Sequence, residues 1–244
     1  MDKIRFSKPN LNKITKDYFC VDLHLHTEAS DGASSVREVL KKCSEKGICV
    51  AITDHNEIEG VLENKRIIPG IEVKFKGDLD VLFYFYSVNE LKKFYVRQVK
   101  KYLSKSPFYP RISANVLELL DTSKKYNCIS SFAHPYKYRE RKDFYDILKK
   151  VDAVEVINSG MGRKANLFAL EKAKEFRKSI TGGSDAHSIY ELGGVITYSK
   201  AGSVKEFLDN IKKKKNYVVG KELRFLKAER YWHYFRNRVR RLFL

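Results

Sequence analysis

The sequence predicts an α/β fold built on a parallel sheet, and two observations carry that expectation. Between residues 19 and about 200, short apolar runs rich in β-branched residues alternate with segments of helical apolar spacing, the pattern of successive β–α units. Five of the six histidines (His24, His26, His55, His134 and His187) fall at or just beyond the C-terminal ends of the expected strands. In parallel α/β folds, open or closed into a barrel, that end of the sheet is where sites are built.

The elements follow in order. Residues 19–26 alternate in polarity and read as a strand that ends in polar residues. Residues 35–46 have the apolar spacing of a helix, with Gly47 placed for a C-terminal cap. The run ICVAIT at 48–53 reads as a short buried strand, and 66–73 and 80–86 as two more. Residues 89–104 and 113–126 read as helices separated by a basic, proline-containing segment. A strand at 128–133, a helix at 143–150, a strand at 153–157 and a helix at 164–178 continue the alternation. A short strand at 179–182 enters a glycine turn at Gly182 and Gly183, and 203–214 is a helix. The chain thus divides into an N-terminal extension (1–18), one domain (19–215) and a basic amphipathic C-terminal helix (216–244). In that last segment Trp232, Phe235, Val239 and Leu242 recur at helical spacing among Arg236, Arg238, Arg240 and Arg241.

Composition narrows the class. A chain of 244 residues with 43% hydrophobic content can fill a core, which excludes a disordered or fibrous protein. The formal net charge is +18, and residues 205–244 hold 13 Lys+Arg against 4 Asp+Glu, so half the excess lies in the last sixth. Such a balance asks for an anionic partner without saying which one. For the terminal helix, packing on the domain with its arginines exposed is the simplest role; a nucleic-acid grip and attachment to an anionic membrane surface compete with it. No apolar stretch reaches 18 residues, so no transmembrane segment is expected. The scattered Cys20, Cys43, Cys49 and Cys128 form no CxxC pair, which argues against a disulfide scaffold or zinc finger and for a cytoplasmic protein.

The chemistry gathers around the histidines. In His24-Leu25-His26, residues i and i+2 of a strand project to one face, and paired neutral imidazoles suit a transition metal. Asp31 follows in an SDG turn, and Asp54-His55 ends a strand in TDHNEIEG. Glu72 closes the strand PGIEV, where a carboxylate is costly to bury unless paired or coordinated. His134 stands in SFAHP, and Asp185 and His187 in TGGSDAH. Beyond these, Lys137, Arg139 and Arg141 either form a cationic clamp for an anionic ligand or belong to a solvated loop, and Asn158 offers a hydrogen-bonding group at the same mouth.

The strings DLHLHTEASDG, AITDHNEIEG, PGIEV, AHP and GSDAH, in this order, resemble the PHP (polymerase and histidinol phosphatase) phosphoesterases over roughly residues 19–200. The resemblance implies a distorted seven-stranded β/α barrel with two or three divalent ions (Mn2+, Fe2+ or Zn2+) at the C-terminal ends of the strands. It implies one ion on His24, His26, Glu72 and Asp185, a second on Asp31, His55 and His187, and a third on the bridging Glu72 with His134. Many members carry a further histidine after the glutamate; this chain has Asp80 there, which is expected to ligate in its place as an oxygen donor and to favour a harder metal, the alternative being a third site that is weak or empty.

The implied activity is hydrolysis of a phosphate ester by a metal-bridged hydroxide, with Asp185, His187 and His134 as the catalytic groups steering protons. Asp22 and Asp54 are expected to orient ligating rings, and Glu155 to lie in the barrel wall or near the site. The partner so implied is a phosphorylated small molecule or a nucleic acid, and the basic charge tilts the substrate towards nucleotides or nucleic-acid ends. A histidinol-phosphatase-like activity and a non-catalytic PHP binding module are the alternatives.

Overall fold

Elements β1 (Ile4–Arg5), α1 (Leu11–Ile14), β2 (Phe19–Asp22), α2 (Val36–Lys46), β3 (Cys49–Ile52), β4 (Ile67–Lys74), β5 (Asp80–Phe85), α3 (Val88–Phe94), α4 (Val116–Ser123) and β6 (Cys128–Phe132) make the first part of the chain. They are followed by α5 (Phe144–Lys150), β7 (Ala153–Asn158), α6 (Arg163–Glu175), β8 (Ser179–Gly183), β9 (Val195–Ser199), α7 (Val204–Lys212) and β10 (Tyr217–Gly220). The computed structural model describes residues 3–61, 64–104 and 110–223. Among them ten strands form one sheet in the order β1-β10-β9-β2-β3-β4-β5-β6-β7-β8. The sheet curls until its far edge meets β9, where the Gly182 N–H donates to the Thr197 hydroxyl and that hydroxyl donates to the Gly182 carbonyl, each at 2.9 Å.

Alternation along the strands builds the two faces. Val21, Ala51, Ile68, Leu82, Ile129 and Ala153, one from each of β2 to β7, join Phe207, Leu208 and Ile211 of α7 in one buried cluster. Their neighbours Val50, Ile52, Val81, Phe83, Phe85 and Val154 pack in the larger cluster with residues of α2 to α6. Each fully buried aliphatic side chain is worth about 1.5–3 kcal/mol. Glu72, Asp80 and Glu155 share parity with Ile68, Leu82 and Ala153, so the first face carries apolar residues towards α7 and charged ones at the other end. At α2, Ser35 Oγ accepts from the Glu38 N–H (3.3 Å) and Glu38 Oε2 accepts from the Ser35 N–H (2.8 Å). Gly47 ends that helix at φ 65°, as the sequence predicts.

Three expectations are corrected. The sheet is mixed: β2–β3–β4 and β6–β7–β8 are parallel, but β5 is antiparallel to β4 and β6, and β9 to β2 and β10. The cause is the short β4–β5 connection, where Gly77 and Asp78 take φ 85° and 61° and the Phe75 N–H donates to the Leu79 carbonyl at 2.8 Å. Five residues can close a hairpin but not a parallel crossover. The strand count is ten rather than seven because β1, β9 and β10 add to it. Residues 217–220, expected to lie in the C-terminal helix, are instead β10, paired with β9 and with β1 of the N-terminal stretch. Residues 224–244, with the Trp232–Leu242 pattern, lie outside the described residues. Among the described residues no helix is long and apolar enough to cross a membrane. The four cysteines are unpaired and buried, and burial pushes the Cys20 and Cys43 thiols up to about 12, so neither offers a ready thiolate.

Gly182 and Gly183 do not turn the chain; they are the last residues of β8. Their smallness serves close approach. A Cβ on Gly183 would lie 2.3 Å from His24 Cβ and 2.5 Å from the His24 backbone nitrogen. Gly183→Ala is expected to displace the His24 segment, lowering stability by about 1–3 kcal/mol and weakening metal binding. A melting temperature and metal titration both equal to wild type would refute this role.

Candidate metal centre

β2 ends at Asp22, and the chain runs on beside its neighbours without regular pairing: Leu25 bridges Ala186, and the Leu25 N–H donates to Thr53 Oγ1 at 3.0 Å. The i, i+2 geometry survives the loss of strand pairing, and His24 and His26 place their Nε2 atoms 3.2 Å apart, both rings buried. Asp31 sits in a turn that presses on the same segment, since a Cβ on Gly32 would lie 2.3 Å from the His26 carbonyl oxygen. Asp54 fastens that turn by accepting from the Thr27 N–H and hydroxyl, each at 2.7 Å. His134 and Asp185 both take left-handed backbone conformations, φ 30° and 54°. Such positive φ in non-glycine residues costs energy and concentrates at functional sites.

Glu72 is the hub. Its Oε2 lies 3.3 Å from His24 Nε2, 3.3 Å from His26 Nε2 and 3.0 Å from His55 Nδ1, and its Oε1 lies 3.2 Å from His134 Nε2. Asp185 Oδ1 is 3.6 Å from His24 Nε2, 3.4 Å from His26 Nε2 and 3.8 Å from His187 Nδ1. Asp31 reaches His26 Nδ1 (3.4 Å), His55 Nε2 (3.6 Å) and His187 Nε2 (3.4 Å). Ligand atoms in the sets His24–His26–Asp185, His24–Glu72–His134, His26–Asp31–His55 and His55–Glu72–Asp80 lie within 4.8 Å of one another. Glu72 Oε2 is buried and accepts no hydrogen bond despite three imidazole nitrogens around it. A carboxylate oxygen so surrounded, in a nest of nitrogen and oxygen donors, fits divalent cations.

Comparison with known proteins bears on this arrangement. The family model described as the PHP domain matches residues 22–154, more than half of the chain, and the PHP-associated model matches residues 163–216. The chain belongs to the PHP family. An uncharacterized protein of Methanocaldococcus jannaschii is 29% identical over 237 residues, covering 88% of this chain and 89% of the relative. The lesion-specific endonuclease Q of Pyrococcus furiosus shares the fold at a TM-score of 0.65 and 18% identity, over 82% of this chain and 57% of that one. A two-domain Bacteroides vulgatus protein containing a predicted PHP-like metal-dependent phosphoesterase superposes at 0.60 and 14% identity, over 97% and 74%.

Around this cluster, further buried groups hold its side chains in place. Glu155, expected from sequence in the barrel wall or near the site, contacts His24 Nδ1 through Oε1 (2.8 Å). Its Oε2 accepts from the His134 N–H (2.9 Å) and from Asn158 Nδ2 (3.0 Å). A glutamate between two valines of a mostly apolar strand is the sequence signal for such a role. Asp22 and Asp54 touch loops rather than rings: Asp22 accepts from the Ser184 N–H and hydroxyl (2.8 and 2.6 Å) and the Gly193 N–H (2.8 Å). Burial pushes the Asp22 carboxyl up to about 6 against these hydrogen bonds. Glu191 accepts from the His187 N–H at 2.6 Å.

The expected clamp is dispersed. Asn158 is buried, and its amide donates to Glu155 and to Asp185 Oδ2 (3.3 Å), so it braces Asp185. Arg141 turns away to chelate Asp143 (2.9 and 2.8 Å) and reaches the Gly77 carbonyl. Arg139 stacks over the Tyr136 ring, 4.2 Å from its centroid, and Lys137 is exposed on the 3-10 turn Pro135–Tyr138.

Charge follows the geometry. Burial opposes the ionised form of Asp31, Glu72 and Asp185, yet the surrounding imidazoles outweigh it and hold all three carboxyls well below the usual range. Burial likewise opposes protonation of His24, but Glu72, Glu155 and Asp185 raise it well above its ordinary value. His26 is pushed up to about 10 by Asp31, Asp185 and Glu72 against the same burial. For His55 burial wins and the ring is shifted down.

Proposed function

We propose that the chain is a metal-dependent phosphoesterase acting on a nucleotide or nucleic-acid end. The observation that carries this reading is the convergence of five imidazoles with Asp31, Glu72 and Asp185 on one buried centre. His24, His26, Glu72 and Asp185 would hold one divalent ion, and Asp31, His55 and His187 a second; Mn2+, Fe2+ and Zn2+ all suit these donors. Ions of this kind, when bound, activate water, neutralise phosphate oxygens and align the attack.

The residues assign the approach. His24, His26, Glu72 and His134 form the floor, while the side chains of Asp31, His55 and His187 are 17–19% exposed. Substrate therefore enters on the Asp31–His55–His187 side. Asp185 and His187, at that rim, are placed to hold or pass a proton; His134, on the floor against Glu72, orients rather than exchanges. Lys137 and Arg139 are exposed cations on the turn that follows His134, and the +18 net charge favours polyanionic substrates. The shared fold with a lesion-specific endonuclease supports the nucleic-acid side of this reading.

The test is hydrolysis by the purified chain with added Mn2+, comparing nucleotides, short RNA and DNA, and histidinol phosphate. His26→Ala and Asp185→Ala should each lower turnover by about three orders of magnitude or more with unchanged circular dichroism, since metal activation supplies several kcal/mol at 1.36 per factor of ten. Undiminished turnover in both variants would sink the reading, and a marked preference for histidinol phosphate would overturn the substrate class.

A further inference from the structure

We propose that the Lys74 ammonium takes the place of a third cation beside Glu72, so that the centre holds two divalent ions and Asp80 is not a metal ligand. The proposal rests on the metal-centre reading above and specifies its stoichiometry. Lys74 is the last residue of β4, two positions after Glu72 and on the same face, and it stands in register opposite Asp80, the first residue of β5. Its Nζ lies 3.3 Å from each of the two Asp80 carboxylate oxygens. The lysine side chain is 18% exposed and the aspartate 3%, so the pair is largely withdrawn from solvent. The root of the lysine is fixed as well: its N–H donates to Asn56 Oδ1 and its carbonyl accepts from Asn56 Nδ2, each at 3.0 Å.

Asp80 is claimed from a second side. The buried Tyr138 hydroxyl donates to Asp80 Oδ2 at 2.6 Å. That oxygen is also 3.9 Å from His134 Nε2, which in turn is 3.2 Å from Glu72 Oε1. Asp80 thus has the position for a third-site ligand, and it falls within ligand range of His55 and Glu72. Its charge, however, is already met. A divalent ion on Asp80 would have to displace the ammonium or sit beside it, against like-charge repulsion in a poorly screened site.

Charge balance points the same way. Asp31, Glu72, Asp80, Glu155 and Asp185 contribute five negative charges among the imidazoles. Two divalent ions and one ammonium neutralise them when the rings are neutral. Three divalent ions with the ammonium would leave an excess of positive charge in a buried site. Asp80 in place of a histidine and Lys74 two residues beyond Glu72 thus act as one exchange: an ion pair for a metal and its ligand.

The experiment is a metal count on the full chain, saturated with Mn2+, freed of excess by gel filtration and measured by elemental analysis. Two ions per chain are expected for the wild type and for Asp80→Asn. Three are expected for Lys74→Met, where the Asp80 carboxylate is released to coordinate. A wild-type count of three, loss of an ion in Asp80→Asn, or a count of two in Lys74→Met would each overturn the proposal. Should Lys74→Met fail to fold, the Asp80→Asn count decides: two ions support the assignment and one refutes it. A wild type that binds no metal overturns the phosphoesterase reading together with this one. Three ions with hydrolysis intact overturn this one alone.

Discussion

Exchanging Glu72 for glutamine is expected to empty the centre of metal and abolish hydrolysis while the sheet remains folded. Oε2 of this residue touches three imidazoles at 3.0–3.3 Å, and Oε1 touches a fourth at 3.2 Å. Glutamine keeps the shape but removes the charge, and it offers one acceptor where the carboxylate offers two. Turnover should fall by about three orders of magnitude or more, because metal activation supplies several kcal/mol and each 1.36 is tenfold. Stability of the metal-free protein should fall as well. His24 owes its protonated form to Glu72 ahead of Glu155 and Asp185, and His26 owes part of its own to the same carboxylate. Breaking a buried ion pair from one side costs roughly 3–5 kcal/mol. Elemental analysis and melts of the metal-free variant read both effects. Wild-type metal content in Glu72→Gln would show that the bridge is misassigned.

The clustered side chains were legible because imidazole and carboxylate are rare at the ends of apolar strands, and each such ending names a residue. His24, His26, His55, Glu72, His134, Asp185 and His187 come together as their spacing suggests, even though His24 and His26 lie beyond the end of β2. Alternation survived because the segment is pinned between its neighbours. The sheet was less legible. β1 is two residues long, and β9 and β10 are short strands with no helix between β8 and β9 to announce them. The β4–β5 hairpin did have a signal, Gly77-Asp78 between two apolar runs, which marks a reversal rather than a crossover. Residues that brace the ligands were the hardest, since their meaning lies in partners distant along the chain. Glu155 meets His24 131 residues away, and Asp22 holds Ser184 162 residues away. Lys74 gains its meaning only from the register that places it opposite Asp80.

Metal binding is expected to expel protons at pH 7, and its affinity to climb with pH until the rings deprotonate unaided. In the metal-free protein the carboxylates around His24 and His26 outweigh burial, holding the first well above its ordinary value and the second up to about 10. Both rings are thereby biased towards the protonated form, which a metal must displace. His55 is shifted down and already neutral, so it adds none. The sign for stability is opposite. A histidine whose folded value exceeds its unfolded value of 6.5 stabilises the metal-free fold fully below 6.5. That contribution is lost as pH rises through the folded value, about 10 for His26. Asp31, Glu72 and Asp185 are depressed, so their contribution is present above the ordinary carboxylate values of 3.8 and 4.5 and lost as pH falls towards their folded values. Between pH 6.5 and 10 the metal-free protein should accordingly weaken while the metal-bound form gains, widening the gap between their melting temperatures. Calorimetric titration with Mn2+ in buffers of different ionisation enthalpy counts the protons, and paired melts across the same range read the divergence. A titration heat independent of the buffer would mean that His24 and His26 are neutral before the metal arrives, and the electrostatic account of the centre would fall with it.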